Sequence, residues 1–430
     1  MRAGRLKRSA PRAYLPSGTL TVGVGLAVAG LTAYGFLMVA GRALGPERSA
    51  PLSALWALVF LAGPGFFLPL EQEVARAVAA RRAVGVGGGP VIKRAAVAGV
   101  AILVLLLALT AAGSGPLLRE LLDDEVLLFV GLLLALTGYS LEHLTRGALS
   151  GNGRFAPYGV VIGTEGVVRL LVCVALALAG VATAGPYGLA LGVAPFVAVA
   201  VALRGQRGLV NPGPDASWGE VSTALGWLLA GSILGQLLIN AGPLAVKALA
   251  TEAEDAQASR FLAGLVIARV PLFLFQAVQA SMIPALSSMA AAGKRAEFRH
   301  RFRQLALVIV AMGVAATLGA LAVGPDVVSL LFGSKFRLPR DDLALLAAAS
   351  AAYVLALLNA QALIAMAGYR PVVWAWAAGV TVFAAVTASL DELLFRVEMG
   401  FLCGSVVAAA VMGVLLAGRL QRMSHPAVAR

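Results

Sequence analysis

Three ionisable side chains lie inside long apolar stretches of the sequence, where a charge is costly. Glu165 and Arg169 are four residues apart in VIGTEGVVRLLVC (161–173), and Arg269 lies in a second apolar stretch. An arginine at the centre of a membrane helix costs about 2.5–3.5 kcal/mol on insertion scales, so such residues usually face a bundle interior or a water-filled cavity. A guanidinium is suited to bidentate phosphate recognition. The pattern therefore predicts a cationic cavity for an anionic substrate.

Polar residues on the same and neighbouring helices extend this candidate cavity. Gln236, Asn240 and Lys247 are spaced i, i+4 and i+11, which places them in one stripe of a helix. Gln276 follows Arg269 by seven residues and shares its helix face. The predicted substrate-cavity residues are Arg269, Arg169, Glu165, Gln276, Asn240, Gln236, Lys247 and Arg42.

A purely structural role is the alternative for the charged residues. Glu165 and Arg169 share a helix face and can neutralise each other as a staple. Arg269 can extend its charged end to the membrane surface while its stem stays in the apolar layer. The sequence leaves both interpretations open.

The elements that hold these residues are membrane helices. The chain has 430 residues, of which 60% are hydrophobic and only 13% charged, and its mean hydropathy is +0.89. Most uncharged runs are long enough to cross a hydrocarbon core, which takes about 20 helical residues. We therefore expect an all-α polytopic membrane protein of about twelve helices, in which the basic first 14 residues precede a retained first span and are not part of a signal peptide.

Positive charges predict that both chain ends are cytoplasmic. Twelve spans with a cytoplasmic N-terminus place 23 of the 34 lysines and arginines in cytoplasmic segments, nine in outer segments and two, Arg169 and Arg269, within spans. This count assigns 142–157 to a cytoplasmic loop. It also accounts for the net charge of +13 without nucleic acid. We expect a bacterial cytoplasmic membrane protein.

Two halves of six helices are expected, at 1–205 and 206–430, related by a pseudo-two-fold. A weak internal repeat supports them, because LAGPGFFLPLEQ (61–72) aligns with ARVPLFLFQAVQ (268–279) at an offset of 207 residues, which pairs Pro64 with Pro271. Repeated halves are common in transporters that bind substrate near the membrane midplane. No loop is long enough for a soluble catalytic domain, so an enzyme is not expected.

The remaining residues that could do chemistry predict little. Cys173 and Cys403 both lie in predicted spans without metal-ligand spacing, so we expect neither a disulfide nor a metal site, and no cofactor. The histidines His143, His300 and His425 are isolated and are expected to be solvated loop residues.

Three segments resemble the polysaccharide-biosynthesis flippases of the multidrug/oligosaccharidyl-lipid/polysaccharide exporter (MOP) superfamily. GRALGPERSAPLSALWALVF (41–60) resembles the family's loop between spans 1 and 2. RGALSGNGRFAPYG (146–159) resembles the loop after span 4, and LLFGSKFRLPRDDLALLA (330–347) resembles the segment after span 9. The resemblance implies two six-helix lobes and the movement of undecaprenyl-pyrophosphate-linked glycans from the cytoplasmic to the outer leaflet. Membrane lipids and, on the same glycan, a polysaccharide polymerase or glycosyltransferases are the implied partners.

Two other functions compete with this prediction. A drug/cation antiporter of the same superfamily is expected to carry an unpaired acidic residue in its N-terminal lobe. No acid precedes Glu71 within the first two spans, and Glu165 has an arginine beside it. A membrane-embedded enzyme would need a catalytic carboxylate cluster, and only LLDDEV (121–126) and RDDL (340–343) offer adjacent acids. Both functions are therefore less favoured than the flippase.

Overall fold

The computed structural model describes residues 19–222, 225–272, 275, 286, 289, 294–366 and 368–422. Long helices dominate these residues, as the composition predicts. The twelve main helices are α1 (Thr19–Ala62), α2 (Leu68–Ala83), α3 (Gly89–Ala112), α4 (Val126–Gly151), α5 (Phe155–Leu178), α6 (Ala184–Leu203), α7 (Leu225–Leu249), α8 (Gln257–Ala268), α9 (Arg295–Phe332), α10 (Arg340–Ala365), α11 (Tyr369–Ser389) and α12 (Leu393–Arg422).

The described residues contain ten helical stretches that are long and apolar enough to cross a membrane. The first, Thr21–Ala83, has 63 residues and must cross twice, since a span takes about 20. The chain reverses at Gly45, whose φ of 76° and ψ of 170° are not helical. The rings of Phe36 and Trp56 stack at 5.5 Å as a result, although a straight helix would separate them by about 30 Å. Together with α8, a shorter apolar helix, these crossings give twelve apolar segments in the described part of the chain, in agreement with the predicted number of about twelve.

The second crossing contains a break in the regular helix. Residues Gly63–Phe67 form a π-helical turn between α1 and α2, with Pro64 inside it. A proline removes a helical hydrogen bond and frees a carbonyl, and π-turns often occur at functional sites. The carbonyl oxygen of Pro64 itself accepts a hydrogen bond of 3.1 Å from Ser232 of α7. Of the residues aligned in the second copy of the repeat (268–279), Phe273, Leu274 and Gln279 lie outside the described residues.

The helices form two lobes. In the first, α1 packs along α5 and α4 packs along α6; in the second, α12 packs against both α10 and α11. The lobes meet mainly where α1 and the π-helical turn contact α7 and α8. The boundary at residues 205 and 206 remains a prediction.

Each end of the bundle has its own set of loops. We call the end with loops 113–125, 180–183, 250–256, 333–339 and 390–392 the distal end. The opposite, proximal end carries loops 84–88, 152–154 and 204–217. At the proximal end, Arg81 of α2 donates to the carbonyls of Pro214 and Asp215 and to the Glu220 carboxylate. The segment that connects the lobes is thereby fixed to α2.

Candidate functional site

Glu165 and Arg169 form a closed ion pair inside the first lobe. The two side chains meet at 2.5 Å across one turn of α5, and Tyr139 donates to the same Glu165 oxygen at 3.1 Å. The guanidinium also lies 5.1 Å from the ring centre of Trp56, a favourable cation–π distance. Arg169 is only 1% exposed. Its described partners all belong to the first lobe, and no described contact joins it to Arg269.

Arg269 lies where the two lobes meet and where its helix is interrupted. It follows the last residue of α8 and precedes Pro271 by two positions. Its side chain is 9% exposed and donates to the Ile239 carbonyl and, at 3.3 Å, to the Asn240 side-chain oxygen. One turn earlier, the carbonyl of Val266 accepts a hydrogen bond of 2.9 Å from Tyr34 of α1. No described carboxylate forms an ion pair with Arg269. Its Nε also has no hydrogen-bond acceptor among the described residues.

The polar stripe of α7 connects Arg269 to the π-helical turn. The Asn240 amide donates to the Gln236 side-chain oxygen at 3.0 Å, while its own oxygen accepts from Arg269. The next polar residue along α7 is Ser232, which binds Pro64 of the first lobe. Polar residues on one stripe of α7 therefore bind the broken helix α8 at one end and the broken second crossing at the other.

Two of the predicted cavity cations instead join the lobes at the distal end. Lys247 is buried and forms ion pairs with Asp255 and, at 2.7 Å, with Asp123 of the first lobe. Arg42 of α1 is exposed and donates to the carbonyls of Leu330 and, at 2.8 Å, Leu331 at the end of α9. Gln276 lies outside the described residues.

A second buried polar network lies where a loop was predicted. Helix α4 continues to Gly151, so the prediction that 142–157 forms a loop is wrong. His143 is 3% exposed, which also contradicts the prediction that it is solvated. Its ring contacts Glu71 of α2 at 2.7 Å, and Arg146 lies 3.3 Å from that carboxylate and 3.5 Å from Glu142. Arg169, Glu165 and Arg269 are thus not the only ionisable groups inside spans.

Small residues bring these charged groups together. A side chain at Gly147 would place its Cβ 2.8 Å from the backbone oxygen of Glu71, so only glycine permits this approach of α2 to α4. Tyr158 of α5 completes the network by donating to Glu71 at 2.9 Å and accepting from Arg146 at 3.2 Å. The i, i+4 spacing of Glu142 and Arg146 is the sequence signal that indicates a helix continuing past residue 142.

The chain is similar in sequence to uncharacterized mycobacterial proteins. No family model matches the chain. It is 26% identical to the uncharacterized protein Rv1510 of Mycobacterium tuberculosis over 96% of this chain and 94% of that protein. It is 27% identical to the uncharacterized protein Mb3654 of Mycobacterium bovis over 92% and 91% of the two chains.

Solved structures similar to this chain are transporters. An inward-facing multidrug resistance MATE family transporter of the MOP superfamily matches with a TM-score of 0.71 at 12% identity, over 95% of this chain and 99% of that chain. A mutant of the Vibrio cholerae MATE transporter VcmN matches with a TM-score of 0.68 at 16% identity, over 95% and 97%. The chain has the MATE transporter fold. It is a multi-pass membrane protein with the two-lobed architecture of this fold.

Proposed function

We propose that this chain is an alternating-access transporter of the MOP superfamily that moves an undecaprenyl-pyrophosphate-linked glycan from the cytoplasmic to the outer leaflet. It would act in cell-surface polysaccharide biosynthesis in a bacterial cytoplasmic membrane. The two-lobed fold supports a transporter. A polysaccharide polymerase and glycosyltransferases would act on the same glycan.

The surroundings of Arg269 are the observation that supports an anionic substrate. It is a buried guanidinium between the lobes, and its described hydrogen-bond partners are neutral oxygens of Ile239 and Asn240. An uncompensated cation in the membrane layer is costly and is retained where it has a use. A pyrophosphate can replace these neutral acceptors and give the guanidinium a charged, bidentate partner.

The residues around Arg269 suit the rest of such a substrate. Asn240 and Gln236 of α7 offer amide groups for sugar hydroxyls. Arg169 is less suited to bind the same phosphates, because Glu165 already neutralises it within the first lobe. We therefore assign substrate contact to Arg269 and a supporting role in the first lobe to the Glu165–Arg169 pair.

A leaflet-exposure assay tests this proposal. Cells depleted of the chain should accumulate labelled lipid-linked glycan on the cytoplasmic side, and the wild-type chain should restore its outer exposure. Arg269→Ala should abolish the restoration at a normal protein level, while Arg269→Lys should restore it in part, since it keeps the charge but loses the planar fork. Arg260→Ala is the matched control, because Arg260 lies on the same helix and binds the Lys335 carbonyl at the distal end. Full activity of Arg269→Ala would refute the proposal.

A drug/cation antiporter of the same superfamily is the second candidate, and the network around Glu71 favours it. Two buried carboxylates, Glu71 and Glu142, share the single guanidinium of Arg146 in the first lobe. Such a site can exchange a proton during transport. Under this alternative, Glu142→Gln would abolish drug resistance conferred by the chain, and depletion would leave the lipid-linked glycan correctly exposed.

A further inference from the structure

The second lobe contains a buried carboxylate that none of the interactions above uses. Glu398 lies in the second turn of α12 and is 0% exposed. Neither of its carboxylate oxygens has a hydrogen-bond donor among the described residues. An ionised carboxylate removed from water without a partner is so unfavourable that the group normally takes up a proton instead.

Further unpartnered oxygens lie along the same helix interface. The buried hydroxyls of Ser350 on α10 and Ser405 on α12 also lack partners in the described part of the chain. The ring of Tyr353 on α10 lies 6.3 Å from the ring of Phe401 on α12, which shows that these two residues lie opposite each other. Ser350 precedes Tyr353 by three residues and therefore lies on the same face of α10. Glu398 lies three residues before Phe401 and Ser405 four residues after it, on the same face of α12. The three side chains therefore lie on the facing sides of the two helices.

Two further carboxylates lie on the distal side of this interface. Glu392 is exposed at the start of α12, and Asp342 is half-buried in the first turn of α10. Both carboxylates act electrostatically on Glu398, and both repel a negative charge there. Of the other helices packed against α12, α11 has its only charged residue, Arg370, at its proximal end, and α7 has Lys247, which is paired with Asp123 and Asp255.

We propose that Glu398 is a proton-binding site of the second lobe, loaded from the distal surface through Glu392 and Asp342. The proton passes from distal water to one carboxylate oxygen of Glu398, which then forms a neutral carboxylic acid between α10 and α12. It returns to water when a rearrangement of these helices hydrates the group.

Infrared spectroscopy of the full-length chain in lipid nanodiscs tests this site without any transport substrate. Its outcome is therefore separate from that of the leaflet-exposure and drug-resistance assays. At neutral pH, the wild-type spectrum should contain the carbonyl band of a protonated carboxyl group that is lost in Glu398→Gln. Glu297→Gln is the control and should retain the band, because Glu297 is exposed and pairs with Lys294. Glu398→Asp should retain a carboxyl band at a shifted frequency.

Three further outcomes complete the test. Exchange of the carboxyl proton for deuterium should slow in Asp342→Asn if the proton enters past Asp342. The same band in wild type and Glu398→Gln at neutral pH, with Glu398→Asp also unchanged, would overturn the proposal. A band that appears only after sodium is replaced by choline would also overturn it, because the carboxylate would then be a sodium ligand.

Discussion

Arg169 is a buried charge whose cost in an apolar lobe is offset by its neighbours. Its charge is costly in an apolar lobe, yet it lies between the Glu165 carboxylate at 2.5 Å and the Trp56 ring at 5.1 Å. Breaking a buried pair by removing one partner costs more than the pair contributes, because the other charge stays buried and unpaired.

Arg169→Ala should therefore destabilise the protein by about 3–5 kcal/mol, the usual cost of breaking a buried pair. Glu165→Gln should be milder, because Arg169 keeps its two aromatic neighbours, Trp56 and Phe36. Denaturant unfolding in detergent measures both effects. Arg260→Ala serves as the control for loss of an arginine. Equal stability of Arg169→Ala and wild type would mean that the pair contributes nothing to the fold.

His143 belongs to the second buried polar network of the first lobe, with Glu71 and Arg146. His143→Leu removes the 2.7 Å contact to Glu71 and leaves that carboxylate with Arg146 and Tyr158. We expect a lower thermal midpoint and a changed pH profile of transport for His143→Leu. His300→Leu is the control, since His300 is exposed on α9. Identical pH profiles of the wild type and His143→Leu would exclude a proton-exchange role for this histidine.

At the scale of elements, the distal ends of the lobes are held together by Lys247. This residue of α7 binds Asp255 of its own lobe and Asp123 of the other lobe. Alternating access requires such contacts to separate in the opposite conformation.

Asp123→Asn should weaken this contact and favour separation of the distal ends. A cysteine at the buried position Ser53 should then react faster with a reagent added from the distal side. Asp124→Asn is a closely matched control: Asp124 is adjacent, also has a positive φ, and is not paired with Lys247. Asparagine tolerates this backbone conformation as well as aspartate does. Equal labelling rates in the two variants would contradict the role of Lys247.

The attachment of the segment between the lobes to α2 depends on the partly exposed carboxylate of Glu220. A hydrogen bond from Arg81 is the main reason that the pKa of Glu220 falls from 4.5 to about 2. A carboxylate with a lowered folded pKa stabilises the protein above its unfolded pKa, and this stabilisation disappears as pH falls through the folded pKa. The thermal midpoints of wild type and Glu220→Gln should therefore differ at pH 7 and converge between about pH 4.5 and 2. Asp215→Asn should follow the wild-type profile, and a constant difference for Glu220→Gln would refute the linkage.

At the scale of the whole molecule, the distal end is predicted to face outward and both chain ends to face the cytoplasm. Cysteines at 123–125 and 255 should react with an impermeant reagent added to intact cells, whereas cysteines at 85–89 and 294 should react only after permeabilisation. The physical reason is the enrichment of lysine and arginine in the proximal segments. Labelling of residue 294 from outside would show that the orientation is the reverse of the predicted one.

The sequence by itself determined the class of fold, because spans of about 20 apolar residues leave few architectures in a membrane. It also indicated the costly charges Glu165, Arg169 and Arg269, since their types stand out against apolar neighbours. Their contacts were decided by tertiary structure. Arg169 is neutralised by Glu165 inside one lobe, while Arg269 lies at a helix break and donates only to neutral oxygens of α7 among the described residues.

Tertiary structure alone also showed that charged residues near predicted helix ends are buried. The sequence predicts a loop for Glu142, His143 and Arg146, because charge interrupts an apolar run there. Hydropathy counts the cost of each side chain separately. The glycine-lined contact between α2 and α4 supplies partners from distant parts of the chain, whereas the described residues of α10 and α12 enclose Glu398 without supplying one. Such long-range contacts have no local signature, so only the packed helices reveal these groups.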